Sequence, residues 1–145
     1  MLFEDIKQLV EKDMKLDDSR LDTESLVIPQ LHGKYLNILY DEKMVLRKHQ
    51  KDLALMLKQK WEYYTGKMSQ EDLKAMNWEP FDLRILKQDV DLYMDSDPDL
   101  QSKKDKVFVQ QEKIAYLESI LKMIMNRQYH IRDAIMWRKF INGES

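Results

Sequence analysis

The sequence predicts an all-α protein, and three observations carry that expectation. Only three glycines and three prolines occur in 145 residues, while 43% of the chain is hydrophobic and 34% charged, a balance that suits long amphipathic helices. Apolar residues recur three and four apart through most of the chain. The last segment holds a seven-residue apolar repeat counted from Val107, in which seven of ten positions are apolar. The expected architecture is a short N-terminal helix, a long central basic helix and a long C-terminal oligomerisation helix. These form one helical domain over 1–145: N-terminal and central helices in 1–66, a connecting segment in 67–100 and the C-terminal helix in 101–145.

Each element has a local reason. Leu2, Phe3, Ile6, Leu9, Val10 and Met14 give a short amphipathic first helix. Asp17-Asp18-Ser19 reads as a turn able to cap the helix that follows. Pro29 belongs in a first helical turn or at a kink, because it lacks an N–H and clashes one turn back. From Gln30 to Tyr64 the pattern is one long helix, with Gly33 tolerated inside it and Gly66 suited to a left-handed C-cap. Ser69 is an N-cap candidate for a short helix ending at Met76. Asn77–Pro80 breaks the pattern. The run from Phe81 to Asp95 reads as helix in preference to an extended segment, and Asp95–Asp99 is an acidic break and cap.

The C-terminal segment shows two offset apolar sets. One contains Ile114, Leu117, Leu121, Ile124, Ile131 and Ile135, and the other contains Ile120, Trp137 and Ile141. A two-stranded coiled coil needs a single seam. Two seams suit a helix gripped from both sides, within a bundle or between neighbours in a ring, and the ten methionines suit adaptable interfaces.

Charge is concentrated in Lys43–Lys67, where seven Lys and Arg face two acids inside a chain of net charge −2. On a helical projection Lys43, Arg47, Lys51 and Lys58 fall within about 80° of one another. Leu46, Leu53, Leu57 and Tyr64 form an apolar stripe about a quarter turn away. Lys60 projects from the far edge of that stripe, Lys67 follows the helix end, and Trp61, Tyr63 and Tyr64 add rings. A cationic row beside aromatic rings is what sequence-independent single-strand binding uses, since cations track phosphates and every base has a π-face. The same residues also fit a solvated helix face ending in packed aromatics.

Other chemistry finds no support in the sequence. No Gly-rich phosphate loop occurs, which argues against nucleotide hydrolysis. Asp95, Asp97 and Asp99 open like a calcium loop, but Leu100 stands where glycine is needed and Lys106 where a bidentate glutamate is needed. His32, His49 and His130 lie on separate stretches without ligand spacing, and the absence of cysteine excludes disulfides and thiolate metal sites. The reading is therefore no enzyme, no cofactor and no metal. No apolar run reaches transmembrane length, and the acidic N-terminus is unlike a signal peptide, so the expectation is a soluble intracellular protein.

Three segments in order carry a family resemblance: FEDIKQLVEKDMKLDDSRL near the start, LALMLKQKWEYYTGK in the middle and IMNRQYHIRDAIMWRKFINGE at the end. With them the chain resembles the UvsY recombination mediator proteins of T4-like phages over nearly its whole length, residues 67–100 matching least. The resemblance implies a non-enzymatic mediator that binds single-stranded DNA and works in DNA replication, recombination and repair in the cytoplasm of the infected bacterial host. It implies contact with a phage RecA-like recombinase and with single-strand-binding protein, which the recombinase displaces as it loads. It further implies ring-like homo-oligomers of six or seven subunits joined through their C-terminal helices, with DNA binding associated with the positions of Lys58 and Lys60.

From row and resemblance together, the expected DNA-binding residues are Lys58, Lys60, Arg47, Lys51, Lys43, Lys67 and Tyr63. Lys58 and Lys60 are expected to be dispensable for packing. Trp61 and Tyr64 are expected to pack, leaving Tyr63 free to stack on bases. The expected oligomerisation residues are Ile114, Leu117, Ile120, Leu121, Ile124, Ile131, Ile135 and Trp137, so removing the tail from about Tyr116 should leave a monomer or small species. The competing function is a helical adaptor or scaffold that does not bind DNA.

Overall fold

The computed structural model describes residues 1–144 and is all-α, with no strand among them. Six α-helices follow in order: α1 (Phe3–Asp13), α2 (Leu21–Leu26), α3 (Ile28–Tyr64), α4 (Gln70–Met76), α5 (Val90–Asp95) and α6 (Pro98–Ile141). A single 3-10 turn, Lys87–Asp89, leads into α5.

The helix ends follow local chemistry. Pro29 sits in the first turn of α3 and Pro98 is the first residue of α6, positions where a missing N–H costs nothing. Gly66 ends α3 at φ +74°, while Lys67 N–H donates to the Glu62 carbonyl and Gly66 N–H to that of Tyr63. These two bonds satisfy carbonyls that a helix end leaves open. Ser69 Oγ accepts from Asp72 N–H at 3.1 Å and caps α4. Asp97 Oδ1 accepts from the N–H groups of Asp99 and Leu100 and caps α6. The aspartates that resemble a calcium loop thus serve as a helix cap.

Two local expectations are corrected. Asp17 spends its carboxylate inside its own turn, accepting from Ser19 N–H and Oγ, and α2 begins after Arg20 without a side-chain cap. The run after Pro80 is helical only from Lys87; Phe81–Leu86 has no regular structure.

The described residues gather into two compact units, and α3 and α6 each contribute to both. One contains Met1–Met44 and the stretch from Glu112 onward, the other Val45–Gln111. In the first unit the core is Ile6 and Val10 of α1, Leu21 of α2, Tyr35 and Leu39 of α3, and the inner face of α6. The Phe3 and Tyr116 rings lie 5.4 Å apart, joining α1 to α6. Tyr35 donates to Asp13 Oδ2 at 2.9 Å, joining α3 to α1. Two buried cations on α6 complete the unit. Lys113 donates to Glu42 and to the Met1 carbonyl, and Arg127 donates to the Met14 and Lys15 carbonyls and to Glu24.

This packing changes the reading of the C-terminal seams. Ile114, Leu117, Ile120, Leu121, Ile124 and Ile131 are all buried inside their own protomer. Of the residues expected to join neighbours, only Ile135 and Trp137 remain exposed. Truncation from about Tyr116 would therefore remove Leu117 to Ile131 from the protomer's own core, and unfolding would accompany any loss of assembly.

In the second unit the core is Leu73, Val90 and Leu100 with an aromatic cluster. Tyr63, Tyr64, Trp78, Phe81 and Tyr93 lie with neighbouring ring centroids 5.0–5.8 Å apart, mostly edge to face. Such geometry suits the ring quadrupoles. The poorly matching connecting segment is thus the part that covers the end of α3.

Candidate nucleic-acid interface

The second half of α3 presents its cations as the helical projection requires. Arg47, Lys51 and Lys58 are exposed on one flank, and the side chain of Lys58 is 75% accessible. Its one carboxylate neighbour, Glu62, lies at 4.0 Å one turn on, a surface pair worth about 0–1 kcal/mol. Arg47 and Lys51 make no ion pair among the described residues. Lys43 is also exposed on α3 but belongs to the other unit, its ammonium 5.4 Å from the Tyr40 ring.

Lys60 lies elsewhere. Its side chain is only 6% accessible and pairs with Asp97 at 3.0 Å and Asp99 at 2.9 Å, while its ammonium sits 4.0 Å from the Trp78 ring centroid. Asp97 accepts in addition from the Tyr64 hydroxyl at 2.6 Å. The expectation that Lys60 is dispensable for packing is corrected: it ties the end of α3 to the start of α6. Its charge faces two carboxylates, so it offers no net positive charge to a phosphate at that spot.

The titration behaviour follows from the same contacts. Burial alone would raise the Asp97 carboxyl, but bonds from Tyr64, from Leu100 N–H and from Lys60 outweigh it and hold the group below its ordinary value of 3.8. Burial and the Asp97 charge push Tyr64 well up. Because the Asp97 pKa is lower in the folded state, its stabilisation is complete above the ordinary carboxylate range and is lost as pH falls through the folded value. Wild-type stability should therefore drop more steeply than that of Asp97→Asn between about pH 5 and 2. Parallel denaturant midpoints for the two proteins over that range would remove Asp97 as the titrating group.

The aromatic assignments exchange places. Tyr63 was expected to face solvent, but it packs against Trp78 and Phe81 and donates its hydroxyl to the Glu79 carbonyl at 2.6 Å. Trp61 was expected to pack, yet it is 42% exposed, with Lys67 Nζ 4.4 Å above its ring. Tyr64 is packed as expected. Arg84 and Lys87, both exposed and lining the same pocket as Trp61 and Lys67, were missed. The available signal was a pair of cations, Arg84 and Lys87, among the apolar residues Leu83, Ile85 and Leu86, in a run that reads as helix.

Comparison with known proteins gives the arrangement its context. A family model for the recombination, repair and ssDNA binding protein UvsY matches residues 9–144. The chain belongs to the UvsY family. Recombination, repair and single-stranded DNA binding are accordingly its functional setting, and the work is binding rather than catalysis. Among solved structures, a crystal structure of the bacteriophage T4 recombination mediator protein UvsY superposes with a TM-score of 0.84 at 20% identity, covering 97% of this chain and 99% of that one. A second lattice of the same T4 protein gives 0.83 at 20% identity, covering 98% of each chain. At this identity the superpositions establish that the UvsY fold is shared. No curated protein sequence matches the chain. Among the described residues no helix is long and apolar enough to cross a membrane, and no group of His, Asp or Glu is arranged to hold a metal ion.

Proposed function

We propose that the chain is a recombination mediator that binds single-stranded DNA along the exposed cationic flank of α3 and helps a phage RecA-like recombinase load onto strands covered by single-strand-binding protein. The observation that carries this reading is the flank itself, in a UvsY-family chain: Arg47, Lys51 and Lys58 stand exposed on one helix face, with only one weak carboxylate contact from the described residues among them. Lys67 extends the row past the helix end. Lys60 supports this surface from beneath, and Tyr63 fixes the aromatic floor.

The protein works as a ring-like homo-oligomer of six or seven subunits. A single weakly acidic protomer has a small basic zone, and repeating that zone along one strand raises affinity by effective concentration. The surface available for assembly is the end of α6. There Met125, Tyr129, Met136 and Phe140 fall on one stripe roughly 100° or more round the helix from the buried Ile124 and Ile131. Trp137 stacks on Phe140 with centroids 5.6 Å apart, and the two rings are 61% and 73% exposed. Contiguous apolar surface of this kind marks an interaction site.

The binding site is tested by replacing Arg47, Lys51 and Lys58 together with alanine. Fold and mass should persist, because none of the three is buried. Affinity for a labelled single strand should fall, and the slope of log K against log salt should become shallower by about 2, at roughly 0.7 per phosphate contact on single strands. An unchanged slope in a correctly assembled variant would place the DNA elsewhere.

A further inference from the structure

At the C-terminal end of α3, a pocket of about 850 Å³ opens between Trp61, the Gly66–Lys67 turn, the non-helical run from Phe81 to Ile85, and Lys87. Its floor is rigid: Phe81 meets Tyr64 edge to face at 5.0 Å, within the aromatic cluster. Trp61 leaves much of its ring accessible beside that floor. Lys67 lies over the ring, while Arg84 and Lys87 are exposed on the lining and make no ion pair among the described residues. The volume falls in the range of small-molecule sites, about 300–1,000 Å³, and so is large enough for a nucleotide.

The charge pattern narrows the ligand. Three cations and two carboxylates, Asp82 and Asp91, line the pocket. Two carboxylates would weaken a site for a compact polyanion. They suit a ligand whose single phosphates are spaced along a chain, with neutral bases between whose amino groups can donate to carboxylate oxygens.

We infer that this pocket takes a nucleotide of the bound single strand, its base stacked on Trp61 and its flanking phosphates held by Lys67, Arg84 and Lys87. The inference rests on the single-strand reading above and adds to it a base-stacking position. Lys67 is the movable part. Its cation–π contact with an exposed ring is weaker than base stacking on the same ring, so it moves to a phosphate as the base arrives. The strand then passes from the cationic flank of α3 to its aromatic end within one unit.

The test uses the full chain and two labelled strands of equal length, oligo(dT) and a fully abasic strand. Wild type should prefer oligo(dT). Trp61→Ala should weaken oligo(dT) binding by about five- to a hundredfold while hardly changing abasic binding, and Trp61→Phe should recover most of the loss. Arg84→Ala with Lys87→Ala should weaken both strands and make the salt slope shallower by about 1. Circular dichroism and mass confirm that each variant folds and assembles. Equal losses on both strands for Trp61→Ala, or no loss on either, would overturn the stacking position while wild-type binding keeps the single-strand reading. Failure of wild type to bind either strand would overturn both.

Discussion

Replacing Lys60 with alanine is expected to lower unfolding free energy by about 3–5 kcal/mol, because it leaves the buried Asp97 carboxylate without its cation. The loss falls on one spot. Asp97 caps α6, accepts from Tyr64 and holds Lys60, so removing the ammonium weakens the tie between the end of α3 and the start of α6 at a buried carboxylate. Lys58→Ala, two residues earlier on the exposed face of α3, should change stability by less than about 1 kcal/mol. Denaturant unfolding separates the two. Below its midpoint, the Lys60 variant should keep the wild-type salt slope for single strands, since Lys60 holds carboxylates rather than phosphates. Wild-type stability combined with a shallower slope would instead make Lys60 a direct DNA contact.

Placing glutamate at both Met136 and Phe140 is expected to leave folded protomers in place of the proposed ring. Both side chains are exposed, so the charges meet water in the protomer and an apolar neighbour in the assembly. Loss of multivalency should then weaken binding to a long single strand by about 10²–10⁴, with a much smaller change on a strand short enough for one protomer. Sedimentation gives the mass and circular dichroism the helix content. A double variant of unchanged mass would rule out the end of α6 as the assembly surface.

What the sequence made legible was local. Gly66, Ser69 and the Asp95–Asp99 break announce helix ends through backbone chemistry complete within a few residues, and the structure agrees at each. The long helices were equally readable because their apolar spacing persists over many turns. Partners distant in sequence were not. Nothing near Lys60 indicates that Asp97 and Asp99 cover it, and Tyr63 looked free only because Trp78 and Phe81 approach from a segment with no clear periodicity. The same limit applies to α6. A seam such as Ile114–Ile131 has one spacing whether it meets its own chain or a neighbour's, so periodicity identified buried positions without naming what buries them. Exposure then distinguishes that seam from the Met136–Ile141 end.

The burial of Ile114, Leu117, Ile124 and Ile131 within a single chain bears on how the proposed ring would behave in time. A subunit whose main apolar seam is already closed need not unfold when it leaves its neighbours, so dissociation and folding are separate equilibria. Assembly then follows mass action, populating free protomers as protein becomes dilute and allowing subunits to exchange between rings. The ring proposed above would then open at one interface to admit a strand that has no free end, and would leave that strand by the same route.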